Sequence, residues 1–209
     1  MINSKKAMIA CDLDGSLISI NSYKHWIYFN LLFAAVTFQF QFIAKLFFEF
    51  AKKHTKRSTR WEVKKALIRA AHKSTVMRWG SRGLFQTYLQ LFVRRRLLEF
   101  VKELQSQSGA PAYIVTAAWE GYCDELAGKY GFDGIIASGT GDGNENLGVQ
   151  KVESIHELFG KDVVIIALTD HHDDLPLAKA ADTVFLVTPS LRSLGEFERS
   201  GIEFSVLQY

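Results

Sequence analysis

The run Met8-Ile9-Ala10-Cys11 stops abruptly at Asp12-Leu13-Asp14-Gly15-Ser16. An apolar stretch of that length reads as a buried strand. Two carboxylates one residue apart at its carboxyl end stand where open α/β sheets place their ligands. Unpartnered buried carboxylates are costly, so the pair requires a cation or a shared proton. The same arrangement recurs where Val163-Val164-Ile165-Ile166-Ala167-Leu168 runs into Thr169-Asp170-His171-His172-Asp173-Asp174. Two acid-tipped strands in one small domain point to a bound divalent cation, and hence to phosphate chemistry.

Outward from these two stretches, strand and helix patterns alternate. Residues 7–13, 112–116, 134–137, 163–168 and 183–187 read as strands, and residues 201–209 as a last one. Helices are expected over residues 119–130, 152–159 and 175–181, with Pro176 tolerated in a first helical turn. The alternation predicts a Rossmann-like α/β fold, a parallel sheet flanked by helices. Residues 22–105 carry no strand pattern and no proline, so several helices are expected between the first and second strands. The expected division is an α/β core of residues 1–20 and 106–209 with an all-helical domain of residues 21–105 inserted.

Charge divides along the same line. The net charge is +3, yet residues 21–102 hold 17 Lys and Arg against Glu49, Glu62 and Glu99, a formal +14. The remainder holds 8 basic and 19 acidic residues, a formal −11. The basic unit would attract phosphorylated substrate, anionic lipid or nucleic acid through its field, or the two units complement each other across their interface. Cys11 and Cys123 form no disulfide framework and suit a reducing cytosol. The stretch Met1 to Lys6 shows no secretory pattern, so a cytoplasmic location is expected.

Trp26, Phe29, Phe33, Val36, Phe40, Ile43, Phe47 and Phe50 follow a three-four spacing and predict one long helix, apolar almost all round. Such a helix is buried on several sides or lies against lipid. The stretch Trp26 to Ala44 is 19 residues without a charge, the length of a membrane span. A single crossing would put Asp12 and Asp170 on opposite sides of the bilayer. The expectation is therefore a buried or interfacial helix, with peripheral contact to the inner face of an anionic membrane as the alternative use.

Four features come in fixed order: Asp12-Leu13-Asp14-Gly15-Ser16-Leu17; Thr116, which ends Ile114-Val115-Thr116; Lys151 in Gly148-Val149-Gln150-Lys151; and Asp170 with Asp174, followed by Leu175-Pro176. Together they resemble the haloacid dehalogenase superfamily of phosphohydrolases, with its Asp-x-Asp-Gly-Thr/Ser and Asp-x-x-x-Asp signatures. A helical insert directly after the first motif, and Tyr130-Gly131-Phe132-Asp133-Gly134-Ile135-Ile136-Ala137, are similar to the helical-cap subgroup that includes phosphoserine phosphatases. The aromatic helix and Lys64-Lys65-Ala66-Leu67 look similar to bacterial cap-bearing members assigned to phosphatidylglycerophosphate hydrolysis. Two positions depart from the pattern: Thr169 stands where glycine is usual, and His171 where a small polar residue is.

The resemblance implies a Mg²⁺-dependent phosphomonoester hydrolase working through an aspartyl-phosphate on Asp12. Asp12, the Asp14 backbone carbonyl and Asp170 would hold Mg²⁺. Asp14 would serve as general acid and base. Thr116 and Lys151 would bind the phosphoryl oxygens. Asp174 would orient a metal-bound water or Lys151 from behind, and Ser16 would bond Asp14 or a backbone amide. Asn21 occupies the place where phosphoserine phosphatases carry a glutamate for the substrate ammonium, which argues against phosphoserine. The expected substrate is a small phosphorylated metabolite, with a lipid phosphate at the membrane surface as the alternative. A weakly active nucleic-acid-binding member, using Lys52, Lys53, Lys56, Arg57, Arg60 and Arg94-Arg95-Arg96, is disfavoured by the intact carboxylates. His171 and His172 are expected at the substrate mouth in preference to a Zn²⁺ site. The run Gly139-Thr140-Gly141-Asp142-Gly143 reads as a mobile loop, because no helix follows it directly.

Overall fold

Val, Ile, Leu and Ala fill the strand segments and leave no polar face, as strands covered on both sides require. The computed structural model describes residues 6–139 and 144–209, so most of the 139–143 loop lies outside the described residues. Among the described residues six strands form one parallel sheet: β1 (Ala7–Cys11), β2 (Ala112–Trp119), β3 (Gly134–Ser138), β4 (Val164–Thr169), β5 (Thr183–Val187) and β6 (Ser205–Leu207). Their order is β3-β2-β1-β4-β5-β6. The chain steps outward from β1 on one side, then returns to fill the other, so the crevice of this open sheet opens beside β1 and β4. Cys11 pairs with Leu168, and the Asp12 N–H donates to the Leu168 carbonyl at 2.8 Å. That register brings Asp12 and Asp170 out of neighbouring strands at nearly the same height.

The chain departs from this layer at Leu17-Ile18-Ser19 and returns at Phe92-Val93-Arg94. The two crossings are tied together: Ser19 N donates to Phe92 O at 3.0 Å and Arg94 N to Leu17 O at 2.9 Å. Between them lie α1 (Ser22–Val36), α2 (Phe40–His54), α3 (Arg60–Lys73), a π-helical turn (Val76–Ser81) and α4 (Arg82–Leu89). Next come α5 (Arg95–Ser108), α6 (Glu120–Tyr130), α7 (Val149–Phe159), α8 (Leu175–Ala180) and α9 (Leu191–Ser200). Helix α5 lies past the return point and covers the sheet, with Leu97 and Val101 buried and Phe100 against Phe185 at 5.1 Å between ring centroids. The expected boundary at residue 105 thus falls within a helix that packs on the sheet.

The inserted helices are fused to the sheet layer by aromatic packing. Trp26 meets Trp119 and Tyr122 at 6.5 and 6.4 Å, and Phe85 meets Tyr122 edge-on at 5.4 Å. One apolar cluster runs from Ile9 and Leu13 through Tyr122 to Leu67 and Phe85. Polar ties reinforce it, because Asp124 accepts from Arg82 at 2.5 Å and Gln86 at 2.9 Å.

The long helix expected from Trp26 onward is broken in two. The α1 end closes with Gln39 N donating to Ala34 O at 2.7 Å, while Phe38 holds a left-handed φ of 57°. This is the end geometry that glycine ordinarily serves, and no glycine marks it here. A tertiary bond holds the turn as well: Ser74 Oγ, beyond α3, donates to Gln39 Oε1 at 2.7 Å. Each resulting helix has 15 residues, roughly 22 Å. Among the described residues no helix is long and apolar enough to cross a membrane. A bulky residue in the left-handed region costs roughly 1–2 kcal/mol, and Phe38 is 74% exposed, so its side chain returns little burial. Phe38→Gly is therefore expected to stabilise the protein by roughly 0.5–1 kcal/mol after glycine's greater unfolded freedom. Thermal unfolding should show a Tm rise of about 1–4 °C; a fall would contradict the strain assigned to this turn.

Candidate active site

Four stretches distant in sequence converge at the carboxyl ends of β1, β2 and β4. A pocket of about 280 Å³ is lined there by Asp12, Asp14, Thr116, Lys151, Asp170 and Asp174, together with Asn21 and Arg60 from the inserted segment. Lys151 projects from the first turn of α7 and is 2% exposed. Its Nζ donates to Asp12 Oδ1 at 2.7 Å and to Asp174 Oδ2 at 2.8 Å. Thr169, which stands where the family pattern has glycine, donates to the same Asp174 oxygen at 2.7 Å. Its hydroxyl thus fixes the carboxylate that holds Lys151. Asp174 Oδ1 is buried and has no hydrogen-bond partner among the described residues.

Around Gly15 the loop is close-packed. With φ at 81°, Gly15 adopts a backbone that side chains disfavour, and a Cβ there would overlap the Asp170 carboxylate. Ser16 was expected to bond Asp14 or a backbone amide, and the described hydrogen bonds give it neither partner. Its Oγ donates to Asp170 Oδ1 at 3.2 Å, because the turn swings it toward β4. Asp14 accepts instead from the Ser22 backbone N–H at the start of α1, at 2.9 Å. Thr116 Oγ1 accepts from Ala118 N at 3.0 Å, so its proton remains available to a ligand in the pocket. Asn21 lines the pocket, and its Oδ1 caps α1 by accepting from Lys24 N at 3.0 Å. His171 also lines the pocket, and its Nδ1 accepts from the Asp173 N–H at 3.1 Å. His171, His172 and Asp173 bring potential ligand atoms within 4.8 Å of one another.

Several participants were not assigned to the site from the sequence. Lys64 of α3 is buried and donates to the Ala117 carbonyl at 2.5 Å and to Glu145 at 2.8 Å, beside Thr116. Arg94, read as part of a basic run, donates to the carbonyls of Gly15 and Ser16, the latter at 2.9 Å. Asn146 ties β2 to β3 through the carbonyls of Thr116 at 3.0 Å and Ile136 at 2.9 Å. Only the lysine pair at Lys64-Lys65 carried any local signal for these roles.

The electrostatics leave a deficit of positive charge. Five carboxylates line the pocket against Arg60 and Lys151. Burial raises the Asp12 pKa well above the carboxylate range; Lys151 opposes the rise, while Asp174 and Asp170 add to it. Burial likewise raises Asp14 against its hydrogen bonds to Ser22. Asp170 is pushed up to about 6 by burial, with Ser16 working the other way. Burial alone would lower Lys151, but Asp12 and Asp174 more than reverse this and hold it charged. Crowded carboxylates, an unpartnered buried Asp174 oxygen and an all-oxygen donor set fit a hard divalent cation such as Mg²⁺.

Two measurements follow. In metal-free protein, Asp170 binds its proton more tightly when folded, about 6 against an ordinary 3.8. Its contribution to stability is therefore complete below pH ~4 and lost as pH rises through about 6. A divalent cation held by Asp170 would compete with that proton, so thermal unfolding from pH ~4 to ~8 with Mg²⁺ added should show a stabilisation that grows as pH rises through ~6. A Mg²⁺ effect of equal size at pH ~4.5 would contradict it. Gly15→Ala, which displaces Asp170, should remove that Mg²⁺ stabilisation and lower any catalytic rate carried by the pocket about 10²-fold. Wild-type rates in that variant would show that the overlap is harmless.

The geometry can be set beside known proteins. A profile of haloacid dehalogenase-like hydrolases matches residues 9–179. No curated protein matches the chain by sequence. Among solved structures, a protein of unknown function from Bordetella pertussis Tohama I aligns with a TM-score of 0.75 at 14% identity, covering 97% of this chain and 99% of that one. Cytosolic 5′-nucleotidase IIIB bound to cytidine aligns at 0.59 and 13% identity, covering 97% and 80%. A phospho-aspartyl intermediate analogue of phosphoserine phosphatase aligns at 0.51 and 12%, covering 97% and 94%. Identities this low establish shared fold only, but the profile takes in most of the chain, including every pocket carboxylate. By that match, the chain belongs to the haloacid dehalogenase-like hydrolase family.

Proposed function

We propose that the protein is a Mg²⁺-dependent phosphomonoesterase in which Asp12 is the nucleophile. The observation that carries this reading is the clamp on Asp12: Lys151 holds Oδ1 at 2.7 Å, and the described hydrogen bonds leave Oδ2 to the pocket. A carboxylate fixed by one oxygen presents the other in a defined direction. Asp12 Oδ2 attacks phosphorus, and the bond to the leaving oxygen breaks as Asp14 gives it a proton. Asp14 then removes a proton from water, which attacks the phosphoryl group and frees Asp12. The upward shift of Asp14 by burial suits a group that must begin protonated. Lys151 and Thr116 receive the charge on the phosphoryl oxygens.

Mg²⁺, held by Asp12, Asp170 and the Asp14 carbonyl, would supply charge that lets an anionic nucleophile meet an anionic substrate. Asp174 positions Lys151, and Ser16 positions Asp170. The helices between Ser19 and Val93 would act as the cap, with α5 assigned to the core. A pocket of about 280 Å³ favours a small phosphomonoester, and Arg60 on its wall favours one with a further anionic group. The phosphatase and nucleotidase named among the similar structures support the reaction class. Asn21, spent as a helix cap, offers no anion for an ammonium and weighs against phosphoserine.

Asp12→Asn should fold normally yet lose at least about 10³-fold in kcat over a panel of phosphomonoesters. Wild-type protein incubated with labelled substrate and denatured rapidly should retain hydroxylamine-sensitive phosphate, and the variant none. Substantial turnover by Asp12→Asn, or label surviving hydroxylamine, would refute the aspartyl-phosphate.

A further inference from the structure

The outer face of the α1–α2 hairpin is built unlike the rest of the surface. Of the 17 exposed large hydrophobic side chains among the described residues, eight lie between Tyr28 and Phe50. In α1, Tyr28, Leu32 and Val36 recur every four residues as one stripe, each about two-thirds exposed. In α2, Phe40, Ala44, Phe47, Phe48 and Ala51 form the matching stripe. Phe38 stands at the tip joining them. Internal packing does not require these groups, since Trp26, Ala34, Phe42 and Leu46 bury the opposite faces. Patches of this extent mark interaction surfaces.

The surrounding charge has one sign. Lys45 and Lys52 flank Phe48 with their ammonium groups 5.3 and 4.7 Å from its ring centre. Both pair with Glu49, at 2.6 and 3.6 Å, so the sole acid of the hairpin is buried and neutralised. Lys53, His54, Lys56 and Arg57 follow directly, all exposed. A groove of about 1020 Å³ opens beside the tip, lined by Phe38, Phe40 and Ala70 together with Lys45 and Lys73. Aromatic side chains in the middle, stems of lysine alongside and ammonium groups around them form the pattern of a helix lying in a bilayer interface.

We infer that the α1–α2 hairpin docks the protein on an anionic phospholipid surface, with Phe38, Phe40, Phe47 and Phe48 entering the interface and the flanking cations meeting lipid phosphates. A second copy of this chain fits less well, because two such faces would bring like charges together, whereas anionic headgroups neutralise them. The strained Phe38 agrees with a partner outside the protein: a costly backbone is retained to hold an aromatic ring in solvent. The inference does not depend on the catalytic reading.

The test is co-sedimentation with phosphatidylcholine vesicles with and without phosphatidylglycerol. Wild-type protein and Asp12→Asn should both sediment with the anionic vesicles, at least about tenfold less with phosphatidylcholine alone, and less as salt rises. Phe38→Gly and the pair Phe47→Asp, Phe48→Asp should each weaken binding about tenfold or more while turning over a soluble phosphomonoester at the wild-type rate. Since Phe38→Gly is expected to raise Tm, its loss of binding cannot come from unfolding. Wild-type protein left in the supernatant with anionic vesicles, or undiminished binding by these variants, would overturn the inference. So would a lipid-free dimer in analytical ultracentrifugation that the Phe47, Phe48 pair of substitutions dissociates, because the face would then belong to a second copy.

Discussion

A buried ammonium between two carboxylates organises this protein. Lys151 reaches Asp12 and Asp174 at 2.7 and 2.8 Å inside a pocket with little access to water. Removing the ammonium would leave two buried carboxylates without a counter-charge, which typically costs several kcal/mol. The arrangement persists because each partner is held from behind: Asp12 by the β1–β4 register, Asp174 by the Thr169 hydroxyl, and Lys151 by its place in the first turn of α7. The trio still leaves the pocket negative, and that excess is what a divalent cation and an anionic phosphoryl group together would resolve.

The inserted helices are bound into this arrangement. Lys64 is buried, and burial lowers its pKa against the pull of Glu145. It joins α3 to the loop after β3 and to the irregular end of β2. Arg94, at the point of return, clasps the two carbonyls of the turn that carries Asp14. Both ties from the insert therefore reach loops that shape the pocket. With Trp26, Phe85 and Tyr122 in one continuous apolar cluster, the insert and the sheet fold around a shared core.

Much of the sheet was legible in the sequence because parallel strands buried on both faces are continuous apolar runs. The 183–187 strand matches residue for residue. The ordered quartet of Asp12, Thr116, Lys151 and Asp170 was legible through its resemblance to a family pattern; Thr116 and Lys151 carry no signal alone, and Thr116 lies within β2 and not at its end. Helix α9 went unread, although Ser190 and Gly201 mark its two ends. Lys64, Arg94, Asn146 and the partner of Ser16 were illegible for a different reason. Their roles rest on contacts with residues 10 to 154 positions away, which periodicity does not encode. The helix break at Phe38 was illegible as well: the three-four spacing runs on unbroken, and Ser74, which bonds the turn, lies 35 residues away.

Two left-handed residues show how differently this chain spends backbone strain. At Gly15 the residue type is dictated from within, since any side chain would collide with Asp170, and glycine adopts the conformation without penalty. At Phe38 nothing within dictates the side chain. The turn geometry favours glycine, the ring is largely exposed, and the nearby Phe40 ring, at 6.1 Å, is itself exposed. A position where the folded protein would be better served by glycine, yet which carries a large apolar group, is understood through what the group touches outside. The catalytic pocket and the hairpin tip are thus opposite cases: the first is shaped by charges that the fold itself must neutralise, the second by an apolar surface that the fold leaves open.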